Sequence, residues 1–214
     1  MAKRAMTEAA KEAKKTWILD ETAKILLDSS YESIKMSQLA KQLGLSNGSL
    51  FIYFETKETL FFQLLWREYT KRLDNLLANA SVKNFNTISS VRNFLLKDLK
   101  NILTEQPLYI LLESKRAAIL EKNVSPTILL AMKKELYIKL ASLANLLTSK
   151  NKLEAEQIFK AFFVEAALLT SFKLDADITK QLNIENQLLE IPNFKRDFKQ
   201  ECYKAYTNYL TAWN

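Results

Sequence analysis

Apolar residues recur along most of the chain at the spacing of amphipathic helices. In residues 15–29, Ile18, Ile25 and Leu26 fall on one face and predict a buried stripe. The same periodicity predicts helices at 36–43, 47–53, 57–78, 88–103, 107–121, 126–148, 153–174 and 194–213. Residues 1–14 are expected to be frayed or loosely helical, 81–86 to form a break, and 175–192 to form a polar connection with a short helix at 185–190. The pattern therefore predicts an all-α fold.

Turn-forming residues are scarce, and this supports the helical prediction. The 214 residues include only two glycines and three prolines. Folds rich in strands need such residues every few positions, so their scarcity favours long helices with short connections. The length is sufficient for one domain or two small ones with a substantial core.

Residues 38–60 carry the strongest functional signal. Gly44 follows a short predicted helix and suits the left-handed conformation that ends a helix. Ser46 can cap the next helix, residues 47–53, through its hydroxyl group, and Thr56 can cap the one after that. Helix, glycine turn and capped helix form the helix-turn-helix plan, whose second helix enters the major groove of DNA. The segment therefore predicts DNA binding, with residues 47–53 as the recognition helix.

The order of residue types over residues 18–60 resembles the TetR/AcrR family of bacterial transcription regulators. The resemblance is carried by Ile18-Leu19-Asp20, Tyr31, Met36, Leu39, Ala40, the run from Gly44 to Phe51, Phe54, Thr56-Lys57-Glu58 and Leu60. It implies a three-helix DNA-binding head, residues 1–56, on a larger helical body, residues 57–214, that binds an effector and dimerises. A lever helix at about 57–78 would join the two. The family's function implies a ligand-responsive repressor that binds a palindromic operator as a homodimer and is released by a small molecule.

The sequence departs from the family pattern at several positions. Ser30 stands where the family usually has glycine, and Ile34 where it has threonine. Asn47 replaces a common lysine, while Phe51 and Ile52 replace tyrosine and histidine-type positions of the recognition helix. Since Phe51 has no hydroxyl group to donate to a phosphate, the contacts are expected to depend on Tyr53, Lys57 and backbone amides.

Seven residues are expected to contact DNA. They are Ser46, Asn47, Gly48, Ser49, Phe51, Tyr53 and Lys57. Gly48 would allow close approach to DNA, the alternative being a glycine that packs against another helix. Tyr53 and Lys57 suit phosphates, the alternative being solvated surface. The basic residues of the N-terminal arm (Lys3, Arg4, Lys11, Lys14 and Lys15) could reach DNA or form a solubilising tail.

The body offers a second set of candidates. Trp66, Tyr69, Tyr109 and Phe162 could line an effector cavity, the alternative being ordinary helical core. Glu113 and Glu165 interrupt apolar stretches, where a carboxylate is costly unless it is paired. They are expected to meet Arg116, a lysine or a cationic effector.

Two late helices, residues 153–174 and 194–213, are apolar over a broad arc. Two copies of each would form a four-helix dimer interface. A lone helix-turn-helix makes few contacts with DNA, which favours the dimer. The alternative is that both helices pack only within one chain.

Charge and missing residue types narrow the function. The formal net charge is +7, but residues 1–80 carry 12 basic and 10 acidic residues, so charge supports DNA binding only weakly. The chain has no histidine and one cysteine, which excludes histidine-based catalysis and multi-thiolate zinc sites. We therefore expect no enzyme, metal or cofactor. A cytoplasmic location without a membrane partner is also expected, because no apolar run could span a bilayer.

Two other functions remain open on the sequence alone. A helical protein-interaction module would be a monomer or part of a hetero-complex and would show no operator preference. An enzyme could use carboxylate or lysine chemistry, although the sequence contains no paired-acid or phosphate-loop motif.

Overall fold

A computed structural model of the protein describes residues 7–184, 188, 190 and 197–213. The described residues form nine α-helices and no strand, which confirms the all-α prediction. The helices are α1 (Glu8–Leu27), α2 (Met36–Gln42), α3 (Asn47–Tyr53), α4 (Lys57–Ser81), α5 (Ile88–Glu105), α6 (Pro107–Lys115), α7 (Pro126–Thr148), α8 (Ala155–Gln181) and α9 (Phe198–Thr211). A π-helical turn (Arg116–Leu120) and a 3-10 turn (Glu121–Asn123) follow α6.

Three predicted segments differ from the structure. Helix α1 already begins at Glu8, because the Thr7 hydroxyl group accepts the N–H of Ala10 and caps it. The helix predicted at 107–121 ends as an α-helix at Lys115. Helix α8 continues to Gln181 through residues expected to form a connection, since neither glycine nor proline interrupts it. Lys3 and Arg4, the start of 194–213, and most of the helix predicted at 185–190 lie outside the described residues.

The head is held together by local capping and one small core. Gly44 has a φ of +64°, so the predicted left-handed turn is present. The side chains of Ser46 and Thr56 cap α3 and α4 by accepting the N–H groups of Ser49 and Thr59. The core contains Ile18, Leu26, Leu39, Leu50, Phe54 and the first turns of α4, from Leu60 to Leu65. These contacts hold one face of α3 against the core of the head and leave the opposite face exposed.

The head and the body share buried residues, so they are not independently packed. Leu112 on α6, together with Leu120 and Val124 in the turns that follow, belongs to the hydrophobic core of the head. The second core involves α4, α5, α6, α7, α8 and α9, and its buried residues begin on α4 at Leu73. Helix α4 therefore contributes to both cores, and residues 112–124 form a second attachment between head and body.

Candidate DNA-binding surface and effector cavity

The recognition helix α3 has one anchored face and one open face. Leu50 and Phe54 are fully buried in the head. Asn47, Gly48 and Phe51 are exposed on the other side, which places three predicted contact residues on the surface. This exposed face can approach a partner without disturbing the core.

Gly48 has open space around it. A Cβ atom at this position would meet no atom of the chain outside its immediate helix within 4 Å. The alternative that Gly48 serves helix packing is therefore not supported. Glycine costs about 1 kcal/mol in a helix relative to alanine, and no contact within the chain requires it at this position. A glycine on this open face would allow another molecule to approach the backbone of α3 closely.

Ser46 and Ser49 form a local capping pair. The Ser46 hydroxyl group accepts the N–H of Ser49 at 3.1 Å and lies 2.7 Å from the Ser49 hydroxyl group. The hydrogen bond between the two hydroxyl groups uses one of their two hydrogens. The other hydrogen can still be donated to a phosphate, so capping and DNA contact are compatible.

Lys57, a predicted phosphate contact, is held within the head. Its Nζ atom donates to the carbonyl oxygen of Tyr31 at 2.5 Å and lies 4.0 Å from the centroid of the Tyr31 ring. Burial also lowers the pKa of Lys57. The hydrogen bond to Tyr31 uses one of the three N–H donors of Lys57, and both Lys57 and Tyr53 are partly exposed.

Ile52 is a surface residue that the predicted contact set omitted. Its side chain is 71% exposed, against 40% for Phe51. Ile52 follows Gly48 by four residues and therefore lies on the same face of α3. Helical spacing alone could have identified it, and an exposed isoleucine beside a glycine is suited to apolar contact.

A cavity of about 110 Å³ lies in the body, bounded by α4, α6, the π-helical turn, α7 and α8. Trp66, Tyr69, Tyr109 and Phe162 line it, so the structure brings these four predicted residues together. The apolar part of the wall also includes Phe62, Leu73, Leu136, Tyr137, Leu140, Phe163 and Ala166. Tyr109 is also a buried core residue, so the core and cavity interpretations coincide there.

Glu165 lies behind this wall in a buried ion-pair cluster. Arg72 Nη2 lies 2.7 Å from Glu165 Oε1 and 2.5 Å from Asp98 Oδ2, and its Nη1 donates to the Tyr109 hydroxyl group at 2.7 Å. Burial raises the pKa of Glu165 to about 7, although Arg72 opposes this. The sequence predicts that Glu165 needs a cationic partner, and in the structure this partner is Arg72. Arg72 is not among the candidate residues that the sequence indicates.

Glu113 meets the partner that was expected for it. Its Oε1 atom accepts from Arg116 Nε at 2.9 Å, and its Oε2 atom accepts from the Tyr69 hydroxyl group. Burial raises the pKa of Glu113, with Arg116 opposing the change. Glu113 does not line the cavity, but it holds two residues that do, Tyr69 and Arg116.

Polar contacts also connect the body with the head. Lys115 Nζ lies 2.7 Å from Glu32 Oε1, and Arg67 Nη1 lies 2.6 Å from Asp20 Oδ1. The first pair links the end of α6 to the connection between α1 and α2. Together with the shared core, these pairs connect the body to the head.

Two further properties concern only the part of the chain that the structure describes. None of its helices combines the length and apolar character needed to cross a membrane. No cluster of cysteine or carboxylate side chains in it could hold a metal ion.

Comparison with known proteins identifies the head and the fold. Residues 18–64 match the sequence model of "Bacterial regulatory proteins, tetR family". FadR from Bacillus halodurans, a fatty acid degradation regulator, is 14% identical with a TM-score of 0.55, over 92% of this chain and 94% of that one. FadR from Bacillus subtilis, in complex with stearoyl-CoA, is 17% identical with a TM-score of 0.55, over 91% and 96%.

Reduced NemR from E. coli is 18% identical with a TM-score of 0.53, over 92% of this chain and 94% of that one. No curated protein sequence is significantly similar to the chain. The structural matches establish a common fold, and the sequence match covers the helix-turn-helix. Residues 18–64 of the chain therefore match the tetR family of bacterial regulatory proteins, and the described helices share the fold of these solved regulators.

Proposed function

We propose that the protein is a sequence-specific transcription regulator, a repressor that binds a palindromic operator as a homodimer and is released by a small-molecule effector. The observation that carries this proposal is the open face of α3, where Asn47, Gly48, Phe51 and Ile52 are exposed while Leu50 anchors the helix. A short helix fixed in this way can lie in a major groove without rearrangement of the head.

The exposed side chains favour base contacts over a purely electrostatic mode of binding. Asn47 can pair with adenine through its amide, and Phe51 and Ile52 can contact thymine methyl groups. Gly48 lets the helix approach the DNA closely. The face of α3 carries no charge of its own, so charged phosphate contacts must come from neighbouring elements, such as the exposed Lys41 of α2. The partly exposed Tyr53, at the end of α3, offers a hydroxyl group.

We propose that the dimer interface includes α8, as the sequence predicts, but that its second helix is α7 and not α9. On α9, Cys202, Tyr206 and Leu210 point into the core. Its exposed positions include Lys199, Gln200, Lys204, Asn208 and Thr211. Large exposed apolar residues instead lie on α7 and α8: Ile128, Leu130, Tyr137, Ile138, Leu146, Phe163, Leu174 and Ile178. This distribution supports an interface formed by α7 and α8 of two protomers, since exposed apolar surface marks interaction sites.

A pair of charge-introducing variants tests this interface. Ile138→Glu and Leu174→Glu should each convert the dimer to monomer in sedimentation velocity experiments. Lys204→Glu, on the exposed face of α9, is the matched control and should leave the dimer intact. Dissociation by the control alone would move the interface back to residues 194–213.

Effector control follows from the position of the cavity on α4. This helix begins at Lys57, shortly after the recognition helix ends at Tyr53, and lines the cavity with Trp66, Tyr69 and Arg72. An effector can release DNA only if it binds better to the conformation whose two heads are wrongly spaced. The stearoyl-CoA bound to the Bacillus subtilis relative supports ligand binding as a property of this fold.

The decisive experiment is selection of bound duplexes from a random oligonucleotide pool. We expect a palindromic sequence whose half-sites are about one helical turn apart, roughly 34 Å. Fluorescence anisotropy should then show affinity that falls with salt and is at least about a thousandfold higher than for unrelated DNA. Asn47→Ala should reduce this preference, while Lys24→Ala on the exposed side of α1 should not. Recovery of no preferred sequence would refute the proposal.

A further inference from the structure

We propose that the effector is an amphipathic organic monoanion whose carboxylate displaces the side chain of Glu121 from between Arg116 and Lys133. An aromatic or medium-chain carboxylate is the simplest member of this class. The inference rests on the proposed function, since it names the ligand class for the same cavity.

The cavity has an apolar side and a cationic side. Most of its lining consists of aromatic and aliphatic residues, including Trp66, Tyr137 and Phe163. Its charged lining residues are Arg72, Arg116, Lys133 and Glu121, three cations and one carboxylate. The lining carboxylate that a ligand cation would need, Glu121, is already paired with two cations, whereas an anion with an apolar body would complement both sides.

Two of the three cations can accept a new anionic partner. Arg72 is already engaged by Asp98, Glu165 and the Tyr109 hydroxyl group. Arg116 and Lys133 instead share one carboxylate at the cavity, because Glu121 Oε1 lies 3.2 Å from Arg116 Nη1 and Oε2 lies 2.9 Å from Lys133 Nζ. The space between these cations thus already accommodates a carboxylate with charge-assisted hydrogen bonds.

Charge balance specifies a monoanion. Arg116 and Lys133 are offset by Glu113, which pairs with Arg116, and by Glu121. Replacing the Glu121 carboxylate with one ligand carboxylate preserves this balance, while a cation or a dianion would disturb it. The Glu121 side chain is 16% exposed and its Lys133 partner 33% exposed, so a displaced Glu121 can reach water.

Displacement of Glu121 would alter the packing of the head. Glu121 begins the 3-10 turn between Leu120 and Val124, and both of these residues are buried in the core of the head. Moving Glu121 therefore changes the segment that packs there. The π-helical turn Arg116–Leu120 comes directly before it, and such turns are frequent at functional sites.

Matched probes test the charge preference by isothermal titration calorimetry without DNA. Naphthoate is compared with naphthamide and naphthylmethylammonium, and octanoate with octanamide and octylammonium. At least one of the two anions should bind about tenfold more tightly than both of its matched counterparts. Failure of both anions to exceed their counterparts, including the absence of any binding, would overturn the inference.

Three variants then locate the carboxylate. Lys133→Met should weaken the preferred anion about tenfold and leave its amide unchanged. Lys134→Met, an exposed neighbour on α7, is the matched control and should change neither. Glu121→Gln should tighten binding of the anion alone, because its neutral side chain competes less well for Arg116 and Lys133. An unchanged anion affinity in both Lys133→Met and Glu121→Gln would overturn the assignment.

The inference and the proposed function can fail separately. Anion preference with no operator binding would refute only the DNA-binding function. Operator binding without anion preference would refute only the ligand class. The anion should also release the selected operator, and release by the amide or ammonium probe alone would contradict the displacement of Glu121.

Discussion

The ionisation of Glu165 should make the protein less stable as the pH rises toward neutrality. Burial raises the pKa of this carboxyl group in the folded protein to about 7, from an ordinary value of 4.5. The buried carboxyl group loses its hydration, and the nearby Asp98 carboxylate raises the pKa further, while Arg72, which pairs with both acids, lowers it. Between these two pKa values the folded state binds more protons than the unfolded state, so the free energy of unfolding falls as the pH rises.

The size of the effect follows from the width of that pH window. Each pH unit changes the free energy of unfolding by up to about 1.4 kcal/mol for one proton. From pH 4.5 to about 7, wild type should therefore lose about 3 kcal/mol relative to Glu165→Gln, whose amide does not titrate. Above about pH 8, where Glu165 is ionised in both states, the difference between the two proteins should be nearly constant.

Urea unfolding followed by circular dichroism, at one fixed protein concentration, measures this difference. Glu156→Gln is the matched control, since Glu156 is exposed on the same helix and lies outside the cluster. Its stability should follow that of wild type between pH 5.5 and 7. Parallel pH profiles for wild type and Glu165→Gln would refute the assignment of a raised pKa to this carboxyl group.

Further substitutions test other parts of the structure. Gly44→Ala should lower the free energy of unfolding by about 1–2 kcal/mol, because it forces a side chain into φ +64°. Gly48→Ala should not destabilise the protein but should weaken operator binding in anisotropy measurements. Tyr69→Phe should cost about 1–3 kcal/mol in urea unfolding, since buried Glu113 loses a hydrogen-bond donor. Lys57→Met should cost about 1 kcal/mol by the same assay, through the lost hydrogen bond to Tyr31; equal stability would place Lys57 on the surface.

The head could be predicted from the sequence because its signals act over a few residues. Gly44, Ser46 and Thr56 each determine a turn or a cap with partners no more than three or four positions away. Such local rules need no knowledge of the tertiary fold. The sequence therefore predicts the bounds of α3 correctly, but Ile52, its most exposed apolar residue, is not among the predicted DNA contacts.

The polar cluster of the body could not be predicted in the same way. Arg72 pairs with Asp98 and Glu165, which are 26 and 93 positions away along the chain. Helical periodicity shows that Glu165 falls within an apolar stretch, but it does not show which cation will lie opposite. The break after Lys115 was also missed, because no glycine or proline marks it and Leu120 is fixed by packing against the head.

The two attachments between body and head differ in stiffness. Helix α4 is continuous from Lys57 to Ser81, and its buried residues belong to both cores. A sharp kink in it would disrupt its backbone hydrogen bonds, and it contains no proline or glycine that would favour one. The segment Arg116–Asn123 instead consists of π and 3-10 turns, whose hydrogen-bond geometry is poorer. We therefore expect a ligand in the cavity to change the head at least cost by shifting this segment against α4, and the pair Glu121–Lys133 lies where that shift would begin.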